Sequence, residues 1–418
     1  MADAFTAVAV TDRVYWVGAI DWAIRNFHGY ATSRGTTYNA FLVLAEKVTL
    51  IDTVKAPFED ELMARIASVI DPRRIDYVVS NHAEMDHSGC VPRVAAAVGA
   101  EKVFASKQGA SALAAHFHGG VDVVEVADGE ELDLGDERLS FFETKMCHWP
   151  DSMVSYLHGE ELLFSQDAFG MHLAGTERFD DELPDWLVTH ELAKYYANIL
   201  MPLNKPVARA MEKLSGAGRT FRIVAPDHGP VWRKGFARVL DLYGRWSRSE
   251  RTNRAVLVYD TMWQSTAAMA RAIADGLAAA GTPAKLMPLS ASHRSDVATE
   301  VLEAGALLVG SPTINNTMFP TVADVLCYLK GLRPKGLIGA AFGSYGWSGE
   351  SIKQVAAALD DMGVEQVAEP LKARYVPADD DLAACRRLGT QIAAILRDRY
   401  ANAPARRSAQ APARRGRG

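Results

Sequence analysis

The chain has little cysteine, no long apolar run and no excess of positive charge. Cys90, Cys147, Cys327 and Cys385 are the only four cysteines in 418 residues, and none forms a C-x-x-C pair. That excludes a disulfide scaffold and argues against a thiolate zinc or rubredoxin-type iron site. Four reduced thiols of a cytosolic protein are expected. No window approaches the roughly 20 apolar residues of a membrane span, and the N-terminus has no basic region ahead of an apolar stretch. A soluble, cytoplasmic protein with no membrane partner is therefore expected. Net charge is -6, and the last eighteen residues carry five arginines and no acid, so the rest of the chain carries -11. So acidic a body excludes nucleic acid as the expected partner. There is also no G-x-G-x-x-G, and with it goes a Rossmann dinucleotide site.

What remains is an ordinary globular composition, 49% hydrophobic and 23% charged, in a chain long enough for two or three domains. Residues 1 to about 250 read as short strands with helices between: 38–45 (YNAFLVLA), 48–51, 77–80, 103–105, 121–126 and 162–165 are apolar or β-branched runs bounded by turn residues. An arginine-rich stretch, 235–254, follows. At 255–259 (AVLVY) the rhythm changes to continuous apolar strands alternating with helical patterns at 265–280, 322–329, 351–362 and 379–396. That alternation predicts a doubly wound parallel sheet. The expected domains are 1–250 and 251–400, with 401–418 as a disordered basic tail.

After the predicted strand YVVS comes Asn81-His82-Ala83-Glu84-Met85-Asp86-His87. Four possible ligands fall within six positions, where a loop can turn them together. Left without a cation, the two carboxylates would crowd each other, so a metal site is expected. Further ligands should lie at other strand ends, and His148, Asp167 and His228 each follow an apolar run and sit beside Pro or Gly turn residues. His172 has the simpler reading of a pocket histidine satisfied without metal.

This set resembles the metallo-β-lactamase fold, whose H-x-H-x-D-H motif opens a dinuclear site. Here Glu84 replaces the second histidine, giving H-x-E-x-D-H. A mixed set of four histidines and three carboxylates suits redox-active iron better than the nitrogen-rich sets of zinc hydrolases. The form is similar to that of the flavodiiron proteins. The resemblance implies one iron held by His82, Glu84 and His148, another by Asp86, His87 and His228, and Asp167 bridging the two, so that these seven residues are both metal ligands and catalytic centre.

The second half carries three polar loops at predicted strand ends: Thr261-Met262-Trp263-Gln264-Ser265-Thr266, Pro312-Thr313-Ile314-Asn315-Asn316, and Ser344-Tyr345-Gly346-Trp347-Ser348-Gly349. Hydroxyls at a helix start suit a phosphate. Amides and aromatic rings suit the edge and face of an isoalloxazine. The trio resembles flavodoxin and predicts FMN. The resemblance as a whole implies an α/β protein, an N-terminal αββα metallo-β-lactamase-like domain followed by a flavodoxin-like sheet. It further implies a soluble oxidoreductase that reduces O2 to water, or NO to N2O, at a non-haem diiron site fed by FMN. An external donor is expected, whether a rubredoxin-like protein, a flavin reductase or a reduced cofactor. So is a head-to-tail homodimer or a dimer of dimers. A dinuclear zinc hydrolase fused to a flavodoxin-like domain is the alternative, and Glu84 argues against it.

Overall fold

The computed structural model describes residues 5–400, and the tail at 401–418 lies outside them. The chain divides into two compact units between Arg248 and Ser249.

The first unit is built on two sheets. One has seven strands in the order Val8–Ala9, Val14–Trp16, Phe41–Val43, Thr49–Ile51, Tyr77–Ser80, Lys102–Ser106 and Val123–Val126, antiparallel up to Thr49–Ile51 and parallel from there on. The other has five, Glu131–Asp133, Arg138–Glu143, Met153–Leu157, Leu162–Gln166 and Ile223–Pro226, with the last pair parallel. Alternating side chains divide the first sheet between two cores. Phe41, Val43, Ile51, Val79 and Phe104 pack with Phe141, Leu157, Leu162 and Phe164 of the second sheet. Leu42, Leu50, Val78 and Val103 face the other way, onto Leu62 and Ile66 of the helix Glu59–Ala67 and Val91, Val94 and Val98 of the helix Val91–Val98.

One sequence expectation is corrected. The run at 38–45 is not one strand: Thr36–Tyr38 pairs with Ala19–Asp21, while Phe41–Val43 joins the large sheet. The break falls at Asn39, whose backbone N–H goes to the Asp227 carbonyl (2.7 Å) instead of to a neighbouring strand. The arginine-rich stretch holds the helix Phe236–Ser247, which buries Val239, Leu242, Tyr243 and Trp246 and leaves its basic residues outside that face.

In the second unit five parallel strands lie in the order Ala284–Pro288, Thr252–Tyr259, Ala304–Ile314, Ile338–Tyr345, Glu365–Gln366, with Leu371–Arg374 also alongside Ile338–Tyr345. Counted along the unit, this is the 2-1-3-4-5 order of a doubly wound sheet, whose ligand crevice opens where the first and third strands diverge. One face packs Leu257, Leu308 and Phe342 with Ile273 and Leu277 of the helix Ser265–Ala279 and Leu388 and Ile392 of the helix Asp379–Tyr400. Those two helices touch backbone to backbone at Gly276 and Gly389: a Cβ on Gly276 would stand 2.1 Å from the Arg386 carbonyl.

Candidate metal centre and flavin site

The metal candidates converge because the parallel strands of the first sheet end together. Asp52, just past Thr49–Ile51, accepts the Asn81 backbone N–H (2.7 Å) and its side-chain amide (2.9 Å). That pins the first residue after the strand Tyr77–Ser80. The chain then delivers His82 and Glu84 and turns into the short helix Met85–Ser88, which carries Asp86 and His87. The second sheet supplies Asp167 directly after Leu162–Gln166 and His228 after Ile223–Pro226. Asp52, Met146, Gln166 and Phe169 all hold positive φ around the site, a strained backbone of the kind that functional sites retain.

The donor atoms fall into two groups, His82, Glu84, His148 and Asp167 in one and Asp86, His87 and His228 in the other; within each they lie inside 4.8 Å of one another. Asp167 stands between them. Its Oδ2 is 2.8 Å from His148 Nε2 and 3.4 Å from His82 Nε2, and its Oδ1 is 3.3 Å from the Nε2 atoms of both His87 and His228. One carboxylate thus offers one oxygen to each group. Glu84 Oε2 approaches His148 Nε2 at 3.2 Å, and Asp86 Oδ2 approaches His228 Nε2 at 3.3 Å.

Several of these atoms are buried with no hydrogen-bond partner among the described residues: His82 Nε2, His87 Nε2, Asp86 Oδ1 and Asp167 Oδ1. Buried polar atoms are normally satisfied, so orphans aimed at a common point fit metal cations. The electrostatics agree. Burial disfavours a charged His82, yet Asp151, Glu84 and Asp167 outweigh it and hold its pKa well above the usual imidazole value. Glu84 is partly buried, which raises its carboxyl, but His148 and His82 bring it down to about 2. The pocket draws positive charge inward.

His82 and His228 are each held from behind by a hydrogen bond at Nδ1, which leaves Nε2 free to ligate, whereas His87 Nδ1 has no hydrogen-bond partner among the described residues. His82 Nδ1 meets Asp151 Oδ2 at 3.0 Å, His87 Nδ1 lies 3.5 Å from Asp227 Oδ2, and His228 Nδ1 donates to the Thr37 carbonyl at 2.6 Å. None of these partners was singled out from sequence. They are single residues far away in the chain, and no local pattern marks them. His172 belongs to neither metal group: its Nδ1 meets Thr36 Oγ1 at 2.8 Å, its ring packs 4.6 Å from that of His228, and burial and His228 push its pKa well below the usual value.

In the second unit the three predicted loops surround a cavity of about 480 Å³, whose lining includes Met262, Trp263 and Ser265 from the first, Pro312, Thr313, Asn315 and Asn316 from the second, and Ser344, Tyr345, Gly346, Trp347 and Ser348 from the third. Thr261, Gln264, Thr266, Ile314 and Gly349 do not line it. Thr266 instead ties the first loop to the third through Ser344 Oγ (2.9 Å), and Gln264 takes φ 69° to let the helix start at Ser265. Tyr375 and Val376 also line the cavity; they follow the strand Leu371–Arg374, and no polar motif announces them. Trp263 and Trp347 are 89% and 85% exposed, rings held at the mouth of an open pocket. The Thr261 hydroxyl is buried without a partner among the described residues. Small hydroxyls at a helix start beneath exposed rings fit a planar ligand with a phosphate tail.

Comparison with known proteins agrees with both halves. Residues 36–229 match the ODP family beta lactamase model, and residues 257–389 match the flavodoxin model. The chain is 44% identical to the nitric oxide reductase of Moorella thermoacetica over 94% of its length and 99% of that protein. It is 45% identical to the rubredoxin-oxygen oxidoreductase of Megalodesulfovibrio gigas, again over 94% and 99%. The solved rubredoxin oxygen:oxidoreductase of Desulfovibrio gigas superposes with a TM-score of 0.91 at 44% identity, covering 94% of this chain and 99% of that one. The flavodiiron protein of Giardia intestinalis gives 0.90 at 31%, covering 94% and 98%. With both domains in order and this identity along nearly all of its length, the chain belongs to the flavodiiron protein family.

Proposed function

We propose that this oxidoreductase reduces O2 or NO at a diiron site in the first unit, residues 1–250, using electrons passed through FMN in the second, residues 251–400. The observation that supports this most strongly is Asp167, which presents one oxygen to each of two groups of ligand atoms. In this reading His82, Glu84 and His148 would hold one iron and Asp86, His87 and His228 the other, with Asp167 offering one oxygen to each group. When bound, two irons and a flavin supply the four electrons that take O2 to two waters, or the two that join two NO into N2O and water.

The chain's own groups orient and enclose. The Asp151 carboxylate and the Thr37 carbonyl fix the tautomers of His82 and His228, so that Nε2 carries the lone pair. The neutral His172 and the ring of Phe27, 5.0 Å from it, wall the pocket without adding charge. In the second unit Ser265, at the head of a 15-residue helix, places backbone N–H groups and a hydroxyl toward the flavin phosphate. Among the described residues no helix is long and apolar enough to cross a membrane. A rubredoxin-type donor fits the names of the relatives, and a head-to-tail homodimer completes the reading.

The test is stopped-flow. Anaerobically reduced protein of known iron and FMN content is mixed with O2 or with NO. Flavin reoxidation by either supports the function, whereas flavin that stays reduced with both refutes it.

A further inference from the structure

The turn that carries His228 is held by the segment that ends the strand Thr36–Tyr38: the Thr37 carbonyl takes the His228 ring, Thr37 Oγ1 accepts the Gly229 backbone N–H (2.7 Å), and the turn's carbonyls are left to Asn39. Three of its carbonyls converge on Asn39: Nδ2 donates to Pro226 O (2.6 Å) and to Gly229 O (2.9 Å), and the backbone N–H donates to Asp227 O (2.7 Å). Asn39 Oδ1 in turn accepts from the Trp16 indole Nε1 at 2.8 Å. Asn39 is fully buried and Trp16 is 1% exposed, with the guanidinium carbons of Arg65 and Arg178 lying 4.7 Å and 4.5 Å from the indole centroid. Two cation–π contacts thereby hold the ring.

The chemistry selects asparagine. Two carbonyls need two donors on one short side chain, and the indole needs an acceptor on the same group; among side chains of this length only a carboxamide offers both. Aspartate would set a charge against two carbonyls, and serine has a single donor. Gly229 completes the turn with φ 78°, in space where a Cβ would stand 2.7 Å from the Met171 backbone.

We propose that Asn39 is a positioning residue for His228, acting through the backbone of its turn, and that its loss releases the metal held by Asp86, His87 and His228 ahead of the one held by His82, Glu84 and His148. This rests on the ligand assignment given above. His82, Glu84 and His148 reach the centre on other segments, each with its own hydrogen bonds, and none of them touches Asn39. The clamp therefore acts on one group and leaves the other.

The full-length protein, loaded anaerobically with iron-57, is challenged with a ferrous chelator while release is followed by absorbance and the retained iron by Mössbauer spectroscopy. In Asn39→Ala, one of the two irons is expected to leave about 10- to 100-fold faster than in the wild type, the range seen when groups that orient a metal ligand are lost. The retained iron should give a spectrum without spin coupling, and FMN content should not change. Trp16→Phe, which keeps an aromatic ring and removes the donor to Oδ1, should shift the same way by less, and it carries the test should Asn39→Ala fail to fold. Release of both irons in parallel, or at wild-type rates, overturns the clamp while leaving the ligand assignment standing. A wild type that binds no iron at Asp86, His87 and His228 overturns the assignment itself.

Discussion

Asp167 presents one oxygen to each group of ligand atoms, so the sharpest single-residue expectation of the proposed function concerns it. Asp167→Ala should lose diatomic reduction by at least about 100-fold, taking the upper range for outer-partner loss as a floor for a ligand, while FMN stays bound. Iron analysis together with flavin absorbance checks both halves of that statement, and retained turnover would remove the bridge from the account. Asp151→Asn keeps the shape of the carboxylate that backs His82 and removes its charge. Metal affinity should fall roughly 10- to 100-fold, read from competition with a chelator. The seven candidate ligands were legible in the sequence because four crowd one short loop and the rest follow strands beside turn residues. Asp151, Asp227 and Thr37 were not, since each acts through a fold that brings distant segments together. Asn39 was hidden more thoroughly: inside YNAFLVLA it looks like a polar position on a strand, and only the 226–229 turn explains why the strand stops there.

Among the elements, the parallel strands of the second unit were legible because burial on both faces makes them continuous apolar runs, and the order in which they pair places three polar loops around one crevice. The loops fix the ligand chemistry, and Ser265 at the helix start is the most direct probe of it. Ser265→Ala should weaken FMN binding roughly tenfold, the cost of one hydrogen bond to a charged group, measured by flavin fluorescence on titration of the apoprotein; an unchanged Kd would place the phosphate elsewhere. The helix pair Ser265–Ala279 and Asp379–Tyr400 depends on two glycines at its closest approach. Gly276→Ala drives a methyl into the Arg386 carbonyl and should lower the unfolding free energy of this unit by about 1 to 3 kcal/mol, read from the shift of its denaturant midpoint. The first unit was less legible. Its second sheet is largely antiparallel with short strands, and the N-terminal hairpins carry too few residues for periodicity to register.

At the scale of the whole molecule the absences of the sequence become a division of labour. No cysteine takes part in either site: Cys147 sits next to His148, but its thiol is buried and pushed up to about 12 by that burial and by Asp167. It is inert both as thiolate ligand and as nucleophile. One unit gathers carboxylates and imidazoles about a point that calls for cations, and the other offers hydroxyls, amides and rings to a flavin. Two units with separate cores should lose their cofactors separately, so chelation should strip iron while leaving the flavin spectrum and its photoreduction intact. The proposed function has electrons held on the flavin leave through the paired metal groups to a diatomic gas. It is tested most directly by reducing the iron-loaded protein anaerobically, mixing it with O2 or NO, and following flavin reoxidation beside the chelated form. Fast reoxidation in the iron-loaded protein, slowed at least about 100-fold by chelation or by Asp167→Ala, is the result predicted; reoxidation at the same rate with and without iron would contradict it.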